Sequence, residues 1–299
     1  MWWIIVSLLS RLSFATSNVL DSHFRHVTFK DAYTQNFCGT LYYLLIVPAL
    51  FLIAQPVWPA AADWPWLIVG GVLMNLYLIP YYEAMKWSDS SSVTSLFTLS
   101  RVFSPILAFF ILGEQLSLRQ YIGFGVVLAG AFLLSYDRKV MKITLKPILL
   151  MALSGILVSL SIVFTKHVFN HMRWLDAFSY LVLFASITAF VPYLLPSKRA
   201  GITKGVKEFP GYAVPMGLNV GCGLAGNTLF NYALSLTLVS YVSMIGMFQP
   251  FFVMGISYIA YRMGWLNAKE SFHPHDMAQK IASFVIMTAG VLITLWDVL

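Results

Sequence analysis

Runs of about twenty residues with almost no charge recur along the whole chain, and they decide the solvent before any other feature does. Ten can be marked: 2–22, 32–54, 66–86, 91–113, 118–136, 147–168, 175–196, 211–233, 238–261 and 279–297. At 1.5 Å per residue, about 20 helical residues cross a hydrocarbon layer. The expected fold is therefore an all-α integral membrane protein of ten transmembrane helices. Only 10% of the residues are charged, with a mean hydropathy of +0.76. Soluble domains carry about 25% charged residues. The net charge of +7 does not point to nucleic acid, because the basic residues sit in the short breaks between apolar runs, where membrane proteins keep them.

The breaks carry turn and charge signals. QPVWPAAADWP (55–65) combines three prolines with two tryptophans, the composition of a membrane interface. SYDRKVMKITLKP (135–147) and PSKRAGITKGVKEFP (196–210) hold four Lys/Arg each and read as basic loops. The opening run MWWIIVSLLSRLSF lacks a basic start and is interrupted by Arg11, so it reads as a first membrane helix rather than a signal peptide. Cys38 and Cys222 lie inside apolar runs and read as small packing residues, not a disulfide or a metal pair.

The chain also repeats. Lys30-Asp31-Ala32-Tyr33-Thr34 is echoed by Leu175-Asp176-Ala177-Phe178-Ser179, Ala84 to Arg101 by Ala233 to Pro250, and Leu128-Ala129-Gly130-Ala131 by Thr288-Ala289-Gly290-Val291. The expected division is a first repeat over 1–138, a basic linker at 139–146 and a second repeat over 147–299. Each half holds five helices, an odd number, so the second must enter the membrane opposite to the first. Two inverted five-helix repeats are an architecture of secondary transporters.

Glu83-Ala84-Met85-Lys86-Trp87-Ser88-Asp89-Ser90-Ser91-Ser92-Val93 resembles the "EALKYTSAS-V" stretch of EamA-type proteins in the drug/metabolite transporter superfamily. Leu112-Gly113-Glu114-Gln115-Leu116-Ser117 resembles that family's "LGERLS", and Val127-Leu128-Ala129-Gly130 its closing "LI-x-x-G". In the second half Asn231-Tyr232-Ala233-Leu234 and Phe248-Gln249-Pro250-Phe251 follow the pattern, while Arg262-Met263-Gly264-Trp265 stands where "LGE" is expected. The resemblance implies a ten-helix bundle moving small metabolites, in many members by export of amino acids or related compounds.

Arg101 is the first candidate for the site, a permanent charge near the middle of the fourth run. Intramembrane charges usually face a bundle interior or a wet cavity. On its face lie Thr94, Thr98 and Pro105. Arg101 reads either as a clamp for a carboxylate or phosphate on the substrate or as a structural charge paired with Glu83 or Glu114. Glu83 reads either as a protonatable coupling carboxylate or as an interfacial partner of Lys86. Asn75, Tyr82 and Glu83 give the third helix a polar end. Ser7, Arg11 and Asn18 share a face of the first helix, so Arg11 reads as a cavity residue or a snorkelling one. Asn227, Asn231 and Gln249 supply neutral polar groups from the other half, on or beside the glycine-rich stretch GLNVGCGLAGN, which also suits close helix packing. Lys166 reads as an interfacial anchor. Pro105 and Pro250 cannot donate to the carbonyls of Arg101 and Gly246, so both read as hinges.

His273-Pro274-His275-Asp276 has no second cluster and is not read as a metal site, and no cofactor is expected. No phosphate loop, nucleophile elbow or dinucleotide fingerprint is present. The sequence thus reads as a secondary transporter, not an enzyme, moving a small polar solute, an amino acid or another anion-bearing metabolite, with protons as the candidate coupling ion, in a bacterial inner membrane. The alternatives are a membrane-embedded enzyme, for which the twelve acidic residues are too scattered, and a receptor or assembly partner. Fourteen of the nineteen Lys/Arg fall in the first, third, fifth, seventh and ninth loops and three in the others. That bias puts both termini outside the cytoplasm, whereas the resemblance implies both inside.

Overall fold

A computed structural model describes residues 2–86, 102–135, 145–264 and 274–296. Among these residues there are fourteen α-helices and no strand: α1 Trp2–Val27, α2 Ala32–Thr40, α3 Tyr43–Ala54, α4 Trp64–Leu76, α5 Leu78–Met85, α6 Phe103–Leu112, α7 Leu118–Ser135, α8 Leu145–Phe169, α9 Trp174–Phe190, α10 Pro196–Glu208, α11 Ala213–Leu236, α12 Val239–Gly246, α13 Gln249–Arg262 and α14 Pro274–Leu295.

The distribution of polarity is that of a protein dissolved in lipid. Leu45, Leu52, Ile53, Phe110 and Val214 are 76–86% exposed, while Arg11, Asp21 and Gln35 are 1%, 5% and 2% exposed. In water this arrangement would cost both the apolar surface and the buried charge; in a bilayer the exterior is already solvated. Among the described residues, five segments are long and apolar enough to cross a membrane: Trp2–Val27, Trp64–Met85, Lys146–Phe169, Trp174–Leu194 and Val239–Arg262. The bent pair α2–α3 makes a sixth if its two parts, which meet at 43°, form one span. The protein is an integral, multi-pass membrane protein. α11 has 24 residues, but Asn219, Asn227, Asn231 and four glycines dilute its apolarity.

Two spans are broken by proline. α4 stops at Leu76 and α12 at Gly246, each four residues before a proline, Pro80 and Pro250. A proline has no N–H for the carbonyl four residues back, so the ladder ends there. Around Pro250 the chain tightens into shorter bonds, from Met247 N to Met244 O at 3.0 Å and from Phe248 N to Ile245 O at 3.2 Å. Pro105 lies inside α6, one turn from its start, and the carbonyl it would leave free belongs to Arg101, outside the described residues.

Two sequence expectations differ from the structure. α1 continues to Val27, five residues beyond the expected end of the first run. The stretch read as a basic loop at 196–210 is mostly helix α10: Pro196 starts it, a position where the missing N–H costs nothing. Its buried Ile202 and Gly205 pack on α2.

Packing is closest between α7 and α14. A Cβ on Gly123 would stand 2.7 Å from Gly290 O, and one on Gly290 would stand 2.7 Å from Gly123 O. Without a hydrophobic driving force between helices in lipid, such small residues let backbones gain contact directly. α1 packs on α11, and α8 packs on α4 and α5.

Candidate functional site

The described helices enclose a cavity of about 180 Å³ lined by α1, α2, α4, α5, α8, α9, α11 and single residues from α3 and α13. Its polar wall is built mainly on α1. Arg11, Phe14, Asn18, Asp21 and Arg25 follow one another at steps of three, four, three and four residues, which keeps one face of a 3.6-residue helix turned to one side. The first four line the cavity. Arg11 and Asp21 are ten residues apart, about 15 Å along the axis, so the two charges mark opposite ends of the space.

At the Arg11 end, Arg11 Nη1 donates to Gln249 Oε1 at 3.4 Å. The guanidinium also lies over the rings of Phe230 at 4.8 Å and Phe14 at 5.4 Å, contacts that favour a cation in a site sheltered from water. Asn231 is buried beside them, its amide donating to Asn227 O at 2.8 Å, while Asn227 donates to Gly223 O at 3.1 Å.

At the other end, Asp21 Oδ1 accepts from Asn219 Nδ2 at 2.7 Å and from Tyr82 OH at 3.3 Å. Asn219 is itself oriented by Ser17, which donates to its Oδ1 at 2.7 Å. Gln35 Nε2 donates to the main-chain carbonyl of Asp21 at 3.1 Å. Beside this group Asn36 and Asn75 pair reciprocally at 2.9 and 3.3 Å, which satisfies one donor and one acceptor on each amide.

One turn beyond Asp21 on the same helix lies Arg25, which is not among the lining residues. It donates to Phe29 O at 2.8 Å, Tyr82 O at 3.0 Å and Glu83 Oε1 at 3.3 Å. Glu83 also accepts from Ala32 N at 3.4 Å. One guanidinium therefore ties the ends of α1 and α5 to the turn that opens α2.

Of the residues singled out from sequence, Arg11, Asn75, Tyr82, Asn227, Asn231 and Gln249 line this one cavity. Glu83 is not among its lining residues and stands in the Arg25 ion pair, with its side chain about one-third exposed. Pro105 faces a separate apolar groove with Val102, Ile106 and Phe109. Pro250 is buried next to Gln249. Arg101 lies outside the described residues, and so does His273. Lys166 donates to Leu234 O at 3.0 Å, near the C-terminal end of α11.

Asp21, Gln35, Asn36 and Asn219 escaped the sequence reading. Asp21 sat at the expected edge of the first helix. The three-four spacing from Arg11 through Asn18 to Arg25 was the available signal that the same face runs on. α2 contributes because its polar positions 35, 36 and 40 fall where a short helix buries most of its surface.

Glu114 holds a different place. Gly113 turns the chain at the end of α6 with φ 68°, a left-handed conformation natural to glycine. The turn carries Glu114 to the start of α12, where it accepts from Val239 N at 2.8 Å, Ser240 N at 3.3 Å and Ser240 Oγ at 3.0 Å. A carboxylate here satisfies orphan N–H groups and faces the positive end of the helix. Gly264, which follows α13, has φ 71°.

A helical bundle with lipid-facing leucines and an internal, charged and amide-lined cavity is the class of protein that passes polar solutes through a membrane. Comparison with known proteins agrees. Residues 1–136 match the EamA-like transporter family. A protein of Sinorhizobium sp, described as "Uncharacterized transporter in cobO 3'region", is 30% identical over 97 residues, covering 31% of this chain and 69% of that protein. A solved structure described as "Crystal structure of protein" superposes with TM-score 0.66 over 98% of this chain and 95% of its own, at 13% identity; that likeness is one of fold. The chain belongs to the EamA-like transporter family, within the drug/metabolite transporter type, and is a membrane transporter of small molecules.

Proposed function

We propose that the protein is a secondary transporter that works by alternating access between two inverted five-helix halves, 1–138 and 147–299, joined by the linker 139–146. The observation that carries this reading is the position of the cavity: its charged and amide side chains come from both halves, from α1, α2 and α4 on one side and from α11 and Gln249 on the other. Contacts related by an exchange of halves support the repeat. α1 packs on α11 as α8 packs on α4 and α5, and α7 meets α14. Gly113 and Gly264, both at positive φ, occupy equivalent places after α6 and α13. On this reading Pro250 and Pro105 are hinges.

The solute is small and polar, an amino acid or another anion-bearing metabolite, moved by export across a bacterial inner membrane. Arg11 and Gln249, with Arg101, hold its anionic group. Glu83 is the candidate for proton coupling. No chemical step on the solute is part of this reading.

The test is uptake and efflux in proteoliposomes across a metabolite panel, with and without a pH gradient. Saturable counterflow of a polar solute, lost in Arg11→Ala, is expected. A purified, monodisperse protein that exchanges none of the panel refutes the reading, and transport unaffected by collapse of the pH gradient refutes the proton coupling.

A further inference from the structure

Among the described residues, the Asp21 end of the cavity keeps a buried acceptor, Gln35 Oε1, that no donor meets. The amide orientations are fixed by their partners. Gln35 must turn its Nε2 to the Asp21 carbonyl, which can only accept, and Asn219 must give its Nδ2 to a carboxylate while its Oδ1 takes the Ser17 hydroxyl. Gln35 is 2% exposed, and its Oε1 is buried with no hydrogen-bond donor among the described residues. Asp21 is 5% exposed; its hydrogen bonds from Asn219 and Tyr82 both fall on Oδ1, the Gln35 amide also lies near the carboxylate, and no charged donor reaches Oδ2 among the described residues. No ion pair of Asp21 forms among the described residues either, since Arg25, one turn away, is turned to Glu83 and two carbonyls. Among the described residues, this end holds no charged hydrogen-bond donor for Asp21.

We propose that Asp21 Oδ2 and Gln35 Oε1 form the pocket for a protonated amine on the transported solute. The inference rests on the transporter reading above and narrows it to solutes that carry an ammonium group. An ammonium offers three donors and one positive charge. It satisfies Gln35 Oε1, takes the open oxygen of Asp21 and balances the buried carboxylate in one step. A hydroxyl of similar size supplies a single donor and no charge. Asn18, three residues before Asp21 and about 4.5 Å nearer to Arg11 along the helix, keeps a buried Nδ2 with no acceptor among the described residues. A zwitterion therefore has its ammonium end at Asp21 and its carboxylate end toward Asn18 and Arg11.

The experiment uses the full chain in proteoliposomes at pH 7. Counterflow is measured for the common amino acids and linear diamines, each paired with its 2-hydroxy acid or diol. The expected result is a kcat/KM at least about tenfold higher for the amine member of each transported pair. Asp21→Asn is expected to erase that preference, Asp21→Glu to keep it, and Gln35→Met to weaken it. If hydroxy analogues move as well as amines, or if Asp21→Asn discriminates like the wild type, the amine pocket is overturned and the transporter reading stands. If the wild type moves no member of any pair, the transporter reading falls and this pocket with it. Should Asp21→Asn fail to fold, the wild-type pairs and Gln35→Met still decide.

Discussion

Replacing Glu114 by alanine removes the cap of a helix that belongs to the other end of the chain. The carboxylate accepts three hydrogen bonds at 2.8, 3.3 and 3.0 Å and is 9% exposed. Hydrogen bonds to a charged group contribute about 1.5–3 kcal/mol each, and a buried donor left without a partner costs about 1–3 kcal/mol. With two main-chain N–H groups orphaned, local opening of the first turn of α12 should become easier by roughly 3 kcal/mol, allowing for some repair by water. At about 1.4 kcal/mol per tenfold, the amides of Val239 and Ser240 should exchange with deuterium about a hundredfold faster. Glu114→Gln keeps an acceptor and loses only the charge facing the helix dipole, about 1 kcal/mol, so exchange should rise about fivefold. Hydrogen exchange on the protein in detergent or nanodiscs reads both variants. Amides in α12 of Glu114→Ala that exchange within twofold of the wild type would refute the cap.

Three further outcomes follow from the packing. Gly123→Leu should destabilise by about 1–3 kcal/mol or more through overpacking, because its Cβ already meets Thr294 Oγ1 and Gly290 O. Gly125→Leu, whose Cβ meets nothing within 4 Å, should leave the melting temperature near wild type, and equal melting of the two variants would sink the seam between α7 and α14. Asn36→Leu and Asn75→Leu should each cost about 1–2 kcal/mol by orphaning the partner amide, and the double variant should cost little more than either; additive losses in a double-mutant cycle would refute the pair. Gly113→Ala should cost about 1–2 kcal/mol for its left-handed φ of 68°, checked by thermal unfolding.

The membrane-spanning helices were legible because apolar runs of helical length leave the backbone no other solvent-compatible form. The breaks inside them were legible only where a proline was singled out: Pro250 was, and Pro80, which ends α4 by the same chemistry, was not. Helix α10 was hidden by its charges, since a helix lying outside the apolar runs is stabilised by tertiary contact at Ile202 and Gly205 rather than by composition. The polar residues of the site were visible one helix at a time. That Asp21 of α1, Gln35 of α2 and Asn219 of α11 would meet depends on helix crossings, and no spacing within one run reports those. The LGE motif was recognised as a family mark, but its physical work, a turn at Gly113 that delivers Glu114 to α12, appears only when both segments are placed together.

None of the residues around the cavity comes from α7 or α14. Those two helices touch backbone to backbone at Gly123 and Gly290. The two helices form a glycine spine that contributes no described residue to the cavity lining. If the protein works by the proposed alternating access, a motion around the cavity can leave this spine shut, so its close backbone contact need not be broken for a solute to enter or leave. Had the two ends of the chain been separate molecules, this spine would have been part of their interface; in one chain it joins the first half to the second.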